Sequence, residues 1–135
     1  MKNTLCIFIL LLIAFYLTGC ALMLGKETHS IPIMSNPVEA SVLIHDENGI
    51  EIFNGKTPAL LNLSKSDGNY WGGKTYLATI SKPGFKTQIY PILTVPNNYF
   101  LLGNIMTIYI GFFIDPFSGH MYNFSPEIIV ATLEK

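Results

Sequence analysis

The feature that most constrains this chain is an apolar run near its N-terminus. The run extends from Leu5 to Leu17 almost without interruption and follows a positive charge at Lys2. It is shorter than the roughly 20 residues that a membrane-spanning helix needs, and a short apolar run behind a basic residue is typical of an export signal. We therefore expect residues 1–19 to form a helical signal peptide that lies outside the fold.

The run ends in Leu17-Thr18-Gly19-Cys20, where small residues precede a cysteine. This tetrapeptide resembles the lipobox of bacterial lipoproteins. The resemblance implies cleavage between Gly19 and Cys20, a diacylglyceryl thioether on Cys20 and acylation of the new N-terminus. Several acyl chains make a stable membrane anchor, whereas one chain is marginal. The alternative is an uncleaved N-terminal membrane helix that carries an incidental cysteine.

The residue after Cys20 indicates where such a protein would reside. In the lipoproteins that this chain resembles, Asp at that position favours retention in the inner membrane, and here the residue is Ala21. The resemblance therefore implies an anchor in the outer membrane, facing the periplasm, with the inner membrane as the alternative. Residues 20–30 are expected to be a lipidated tether. The expected partners are this membrane, through Cys20, and an unidentified envelope protein or cell-wall component.

The composition of the mature chain limits its functions further. Loss of Lys2 with the signal peptide leaves seven Lys against nine Asp and Glu, a formal charge of −2, and the chain has no Arg. Nucleic-acid binders usually carry a basic patch in which Arg is prominent, so we expect no nucleic-acid partner. Cys6 leaves with the signal and Cys20 is acylated, so neither a disulfide nor a thiolate metal ligand is expected.

Short strand signals with turn residues between them recur from residue 31 onward. Apolar and polar residues alternate in most of them, which indicates strands with one buried face. Strands at this spacing favour a mainly β fold, a small antiparallel β-sandwich over residues 31–135. The predicted strands are 38–45, a short strand around 50–52, 59–63, 75–82, 85–92 and 127–134.

Three segments also resemble a known module, the PEGA domain, a small β-sandwich of surface and periplasmic proteins. They are Asn36-Pro37-Val38-Glu39-Ala40-Ser41-Val42, Gly55-Lys56-Thr57-Pro58 and Lys82-Pro83-Gly84-Phe85. The resemblance covers about residues 34–90 and implies a structural or binding role without catalysis. The chain departs from the pattern at Glu39, where the module usually has Gly, and in the longer loop 64–73.

A second apolar stretch, Tyr99 to Ile114, has no charged residue and ends at Asp115-Pro116. As a helix it would place Gly103, Thr107 and Gly111 in one narrow stripe that allows close packing. At about 1.5 Å per residue it would reach only about 24 Å, less than a bilayer core. We predict a helical insertion before the last strand, packed on the sandwich or lying in the membrane interface. A transmembrane helix is the main alternative.

Residues that carry chemistry are few and scattered, so we expect no catalytic residue, metal or cofactor. Asp115, Ser118 and His120 contain the side chains of a hydrolase triad, but neighbouring turn residues rarely orient one another for that chemistry. The glycines of the loop 64–73 do not form a phosphate loop, because the Lys-Ser/Thr ending is displaced and no helix pattern follows. These glycines are Gly68, Gly72 and Gly73. The histidines lie in unrelated contexts without metal-ligand spacing. They are His29, His45 and His120.

Tyr70 and Trp71 are the remaining candidate site residues, because they stand at the tip of a glycine-rich loop. Exposed aromatic side chains can stack on sugars or lie at a membrane interface, and the alternative is that they fold back on the core. The sequence therefore predicts a non-enzymatic, lipid-anchored envelope lipoprotein with a structural or binding role. Two alternatives stay open: a carbohydrate or peptidoglycan binder that uses Tyr70 and Trp71, and an immunity or inhibitor lipoprotein.

Overall fold

The computed structural model describes residues 27–98 and 119–135, together with residues 7, 100 and 102. Gly19, Cys20 and most of the stretch 99–114 lie outside these residues. The described part contains eight strands and a short 3-10 helix at Gly119–Met121. The strands are β1 (Thr28–Asn36), β2 (Ser41–Asp46), β3 (Glu51–Lys56), β4 (Ala59–Ser64), β5 (Tyr76–Ser81), β6 (Gln88–Pro96), β7 (Tyr122–Ser125) and β8 (Ile129–Thr132).

Five of these strands form an antiparallel sheet in the order β3-β2-β5-β6-β7. Its first hairpin turns at Asp46, whose carboxylate accepts the backbone N–H groups of Asn48 at 2.9 Å and Ile50 at 2.8 Å. The hydrogen bond from Ile50 does most to hold the pKa of Asp46 below its usual value. Gly49 has a φ of +77°, as the sequence predicts for this turn.

The other three strands form a sheet in the order β4-β1-β8, with β1 in the centre. β1 is antiparallel to β4, where Ile33 lies opposite Ala59. It is parallel to β8, where Ile33 lies opposite Ile129. The strand that opens the fold is therefore hydrogen-bonded to the strand that closes it.

A single apolar core lies between the two sheets, because each strand buries alternate residues toward the other sheet. Tyr76 extends across this core, and its hydroxyl donates a hydrogen bond of 2.8 Å to the Ser64 carbonyl of the facing sheet. Burial raises the pKa of Tyr76 to about 12, so the hydroxyl keeps the proton that it donates. The fully buried members of this core include Ile31, Ile33, Val42, Ile44, Ala78, Ile80, Ile92 and Ala131.

The predicted mainly β fold is confirmed, and the two sheets form a sandwich-like arrangement. The alternating faces predicted for β2, β5 and β8 are the faces observed, with Val42, Ala78 and Ala131 fully buried. Two strands were missed, β1 and β7. β1 begins at Thr28, inside the region that was predicted to be a tether. It was missed because Pro32 obscures its strand signal. The expectation of an antiparallel sandwich is wrong for one pair of strands, because β1 and β8 are parallel.

The turn before β4 is held by the buried hydroxyl of Thr57. This hydroxyl accepts the backbone N–H of Ala40 at 3.1 Å and shares a hydrogen bond of 2.5 Å with Ser35. The Thr57 carbonyl accepts the N–H of Glu39 at 3.1 Å. Glu39 itself has a φ of +61°, a conformation that favours glycine. The position where the sequence departs from the PEGA pattern is thus one where the backbone favours Gly.

The turn between β5 and β6 has the geometry that Lys82-Pro83-Gly84-Phe85 predicts. The Phe85 N–H donates to the Lys82 carbonyl at 3.0 Å, and Gly84 has a φ of +82°. Pro followed by a residue at positive φ is the arrangement of a type II turn. A Cβ at Gly84 would meet no atom within 4 Å, so a side chain here would be opposed by the backbone alone.

We expect Gly84→Val to lower the free energy of unfolding by about 1–3 kcal/mol, because a β-branched residue at positive φ is strained. Urea unfolding of a soluble chain starting at residue 21 measures the change. Gly84→Asn is the control, because Asn tolerates this conformation better and should cost clearly less. Equal midpoints for the wild type and both variants would contradict the assigned turn.

We expect Glu39→Gly to leave stability unchanged or raise it by up to about 1 kcal/mol. Relief of the left-handed backbone is worth roughly 1 kcal/mol, and the greater freedom of Gly in the unfolded chain offsets part of this. Glu51→Gly on β3 is the matched control and should cost about 0.5–1 kcal/mol, since Gly weakens a strand. The same urea experiment compares the two, and equal losses would refute the argument for position 39.

Candidate functional site

Four chain segments meet at one end of the sandwich, which we call the aromatic end. They are the start of β1 at residues 27–28, the loop 65–75 between β4 and β5, residues 97, 98, 100 and 102 after β6, and residues 119–121 before β7. The backbone N–H of Lys65 donates to the Glu27 carbonyl at 3.0 Å, which joins the first two segments. The opposite end carries the turn 82–87 and the C-terminal residues, where Lys86 and Glu134 form an exposed ion pair of 3.9 Å.

The loop 65–75 is a small ordered hairpin. The Asp67 carboxylate accepts the backbone and side-chain N–H groups of Asn69 at 2.8 and 2.9 Å, and these bonds hold its pKa below the usual value. Ser66 and Gly73 form a bridge at its base. Gly73 has no room for a side chain, because a Cβ would collide with the Thr94 hydroxyl and lie 3.1 Å from the Tyr122 ring. The base of the hairpin is therefore fixed against the sandwich, and its tip extends toward solvent.

Aromatic side chains join the tip of the hairpin to the residues after β6. Trp71 packs edge-to-face on Phe100, with ring centroids 5.8 Å apart and planes at 88°. Tyr70 packs on Trp71 in the same way at 6.2 Å and 86°. Phe100 is buried, whereas Tyr70 and Trp71 are 49% and 48% exposed. Both candidate residues thus contact the fold on one side and face solvent on the other.

Asn97, a buried side chain, holds the two flanks of the apolar stretch together. Its amide group donates to the His120 carbonyl at 2.6 Å, and its side-chain oxygen accepts the backbone N–H of Phe100 at 2.6 Å. Its own backbone N–H donates to the Met121 carbonyl at 2.8 Å. Residues 98, 100 and 102 are helical, so Asn97 acts as an N-cap at the start of this segment.

Lys65 is the buried charge of the aromatic end, only 3% exposed. Its ammonium group donates to the Tyr122 carbonyl at 2.6 Å. A buried charge must be compensated by hydrogen bonds or by other charges, and this hydrogen bond contributes to that. It also connects the base of the loop 65–75 to β7. Burial, and then the negative charge of Asp67, raise the pKa of Tyr122, so its ring is a neutral part of this packing.

The pairing of β6 with β7 determines how the apolar stretch is attached. Pro96 lies opposite Tyr122 and Leu93 opposite Ser125, so the stretch connects two neighbouring antiparallel strands. It therefore leaves and returns at the aromatic end. A single crossing of a membrane would separate β7 from β6 and β8 from β1. Among the residues that the structure describes, no helix is long and apolar enough to span a membrane.

The three histidines, which the sequence analysis expects to have no site role, lie in separate places. His29 packs on Phe124 with centroids 6.4 Å apart, His45 lies on the outer face of β2, and His120 lies in the 3-10 helix before β7. Asp115 and Ser118 lie outside the described residues, so the structure gives no geometry for the set Asp115, Ser118 and His120. In the part of the chain that is described, no group of three His, Cys, Asp or Glu side chains is placed to hold a metal ion.

The arrangement of the rings bears on what the aromatic end can bind. Tyr70 and Trp71 stand nearly perpendicular, so they do not form one flat platform for a sugar ring, although each alone can contact a ligand. Comparison with known proteins finds no matching family model, no matching curated protein and no matching solved structure.

The contribution of Asn97 was missed in the sequence analysis, although Asn before an apolar run is a recognised helix-start signal.

We expect Asn97→Ala to lower the free energy of unfolding by about 1–3 kcal/mol, because it removes a cap and leaves buried backbone groups without their partner. Asn98→Ala is the matched control, since Asn98 is exposed and should change stability little. Urea unfolding followed by Trp71 fluorescence measures both. Equal effects of the two substitutions would mean that Asn97 does not hold the two flanks together.

Proposed function

We propose that the protein is an exported lipoprotein whose β-sandwich has a structural or binding role and no catalytic one. Lipid on Cys20 anchors it in the cell envelope, in the outer membrane facing the periplasm. The support from sequence is the order of Lys2, the apolar run and Leu17-Thr18-Gly19-Cys20. The proposed partners are this membrane and an envelope or cell-wall component.

The observation that carries this proposal is where the strands begin. Cleavage before Cys20 would remove none of the eight strands of the described part, because β1 starts at Thr28. β1 is also the central strand of its sheet, so the tether cannot extend much beyond Glu27 without loss of strand pairs. The signal and the fold therefore occupy separate parts of the chain, as removal of a signal peptide requires.

The PEGA-like character of the sandwich is part of the proposal. Its support is local: a positive φ at Glu39, the Thr57 hydroxyl in the Gly-x-Thr-Pro turn, and the turn at Gly84. These are the three places where the sequence carries or replaces a residue of the pattern. Such a module would act by presenting surfaces, in agreement with a structural or binding role.

A carbohydrate-binding role is the second candidate, and the half exposure of Tyr70 and Trp71 favours it. Their perpendicular rings support it less well, since sugar rings stack on flat faces. Peptidoglycan would be the natural ligand for a protein anchored in the outer membrane and facing the periplasm.

We expect Cys20→Ala to abolish incorporation of labelled palmitate and to leave an uncleaved precursor in the inner membrane, because lipid attachment and signal cleavage both require the sulfur. Cys6→Ala is the matched control, since Cys6 lies inside the apolar run and should be dispensable. Labelling in growing cells and membrane fractionation report both variants. Palmitate on the Cys20→Ala protein, or its cleavage before residue 20, would refute the lipoprotein assignment.

A further inference from the structure

We propose that the aromatic end is seated on the membrane that carries the lipid anchor, with Tyr70, Trp71 and Leu102 in its interfacial layer. The proposal rests on the proposed lipoprotein function and adds an orientation and a lipid-contact site. Three independent features of the chain lead to it: the length of the tether, the attachment of the apolar stretch and the chemistry of the exposed side chains.

The tether brings the aromatic end close to the bilayer. Seven residues lead from Cys20 to Glu27, and at about 3.5 Å per residue they reach no more than about 25 Å. β1 has nine residues and extends about 30 Å at roughly 3.3 Å per residue. The end of the sandwich where β1 begins is therefore the end that the anchor holds near the membrane.

The apolar stretch emerges from this same end. Leu102 is 64% exposed, and the chain returns at Gly119, which packs on the backbone of Glu27. The sequence between Leu102 and Asp115 contains no charged residue. The end nearest the anchor is thus also the end where an uncharged, apolar stretch is attached, and transfer of such a stretch out of water is favourable.

The exposed side chains of this end have interfacial chemistry. Tyr and Trp are enriched where the hydrocarbon of a bilayer meets water, because each ring has an apolar body and a polar group. Tyr70 and Trp71 are half exposed. Trp71 packs on Phe100 and Tyr70 packs on Trp71, so both rings are presented in a fixed orientation. Perpendicular rings are no obstacle to insertion among lipid chains, whereas they are an obstacle to a flat sugar platform.

The charges indicate that the contact is made by insertion and not by attraction to anionic lipid. Near the aromatic end lie the carboxylates of Glu27, Asp46, Glu47, Glu51 and Asp67. Two ammonium groups lie there too, those of Lys74 and the buried Lys65. The opposite end carries Lys56, Lys82, Lys86 and Lys135 against Glu39 and Glu134, of which Glu134 pairs with Lys86. Anionic lipid would thus draw the opposite end, so contact through the aromatic end should occur on uncharged lipid and persist at high salt.

Trp71 is the only tryptophan of the chain, which makes its fluorescence a direct probe of this site. The experiment uses the lipidated full-length mature protein, reconstituted in phosphatidylcholine vesicles with or without bromine on the acyl chains. We expect brominated lipid to quench about half or more of the Trp71 emission and bromines near the headgroup to quench most, as for interfacial aromatic residues. The emission should also shift to shorter wavelength, and high salt should change neither effect.

The matched control moves the tryptophan to the opposite end in the double variant Trp71→Phe, Val38→Trp, since Val38 is 63% exposed there. Its emission should be unaffected by brominated lipid. Urea unfolding verifies that the variant is folded. Equal quenching of the two proteins would overturn the proposed orientation, because the sandwich would then lie on its side.

The remaining outcomes separate this inference from the proposed function. Absence of lipid on Cys20 by mass spectrometry would refute the lipoprotein assignment itself. Lipid on Cys20 without any quenching of Trp71 would leave that assignment intact and overturn the membrane-contact site. A change of Trp71 emission on addition of soluble peptidoglycan fragments, without quenching by brominated lipid, would assign the aromatic end to carbohydrate instead.

Discussion

The structure depends on the double pairing of β1. This strand is hydrogen-bonded to β4 on one side and to β8 on the other, and its buried residues Ile31 and Ile33 lie in the middle of the core. Without β1, the remaining two strands of the smaller sheet would have no common neighbour. The larger sheet would then expose the apolar face that it now buries. The first strand of the described fold thus holds both halves of the sandwich together.

The central position of β1 explains why the aromatic end is a single site. The start of β1 fixes Lys65 through the Glu27 carbonyl, and Lys65 fixes β7 through the Tyr122 carbonyl. Asn97 then joins β6 to the residues before β7. Each contact uses backbone carbonyls, so the geometry depends on the fold more than on the identity of the exposed side chains. Tyr70 and Trp71 are added to this framework by the packing of Trp71 on Phe100.

The sequence predicted those parts of the fold in which a local pattern decides the structure. Alternation identified the buried faces of β2, β5 and β8, and the pairing of Pro83 with Gly84 identified a turn. β1 and β7 were missed, because proline and short length weaken the local signal and their pairing depends on distant partners. The aromatic pair was proposed from its glycine-rich surroundings, and its role in binding stays a prediction. Asn97 and Lys65 were not identified, since their roles arise from contacts with residues 23 and 57 positions away.

The parallel pair β1 and β8 also has a consequence for how the chain acquires its structure. Ile33 and Ile129 lie opposite each other across 96 positions of sequence, and contacts of such long range form slowly because a large loop must close first. If the chain is exported as we propose, the smaller sheet cannot be completed until the last strand has crossed the membrane. In that proposed route β1 reaches the far side still lacking one of its two neighbours, and the sandwich is completed only when the C-terminal residues arrive.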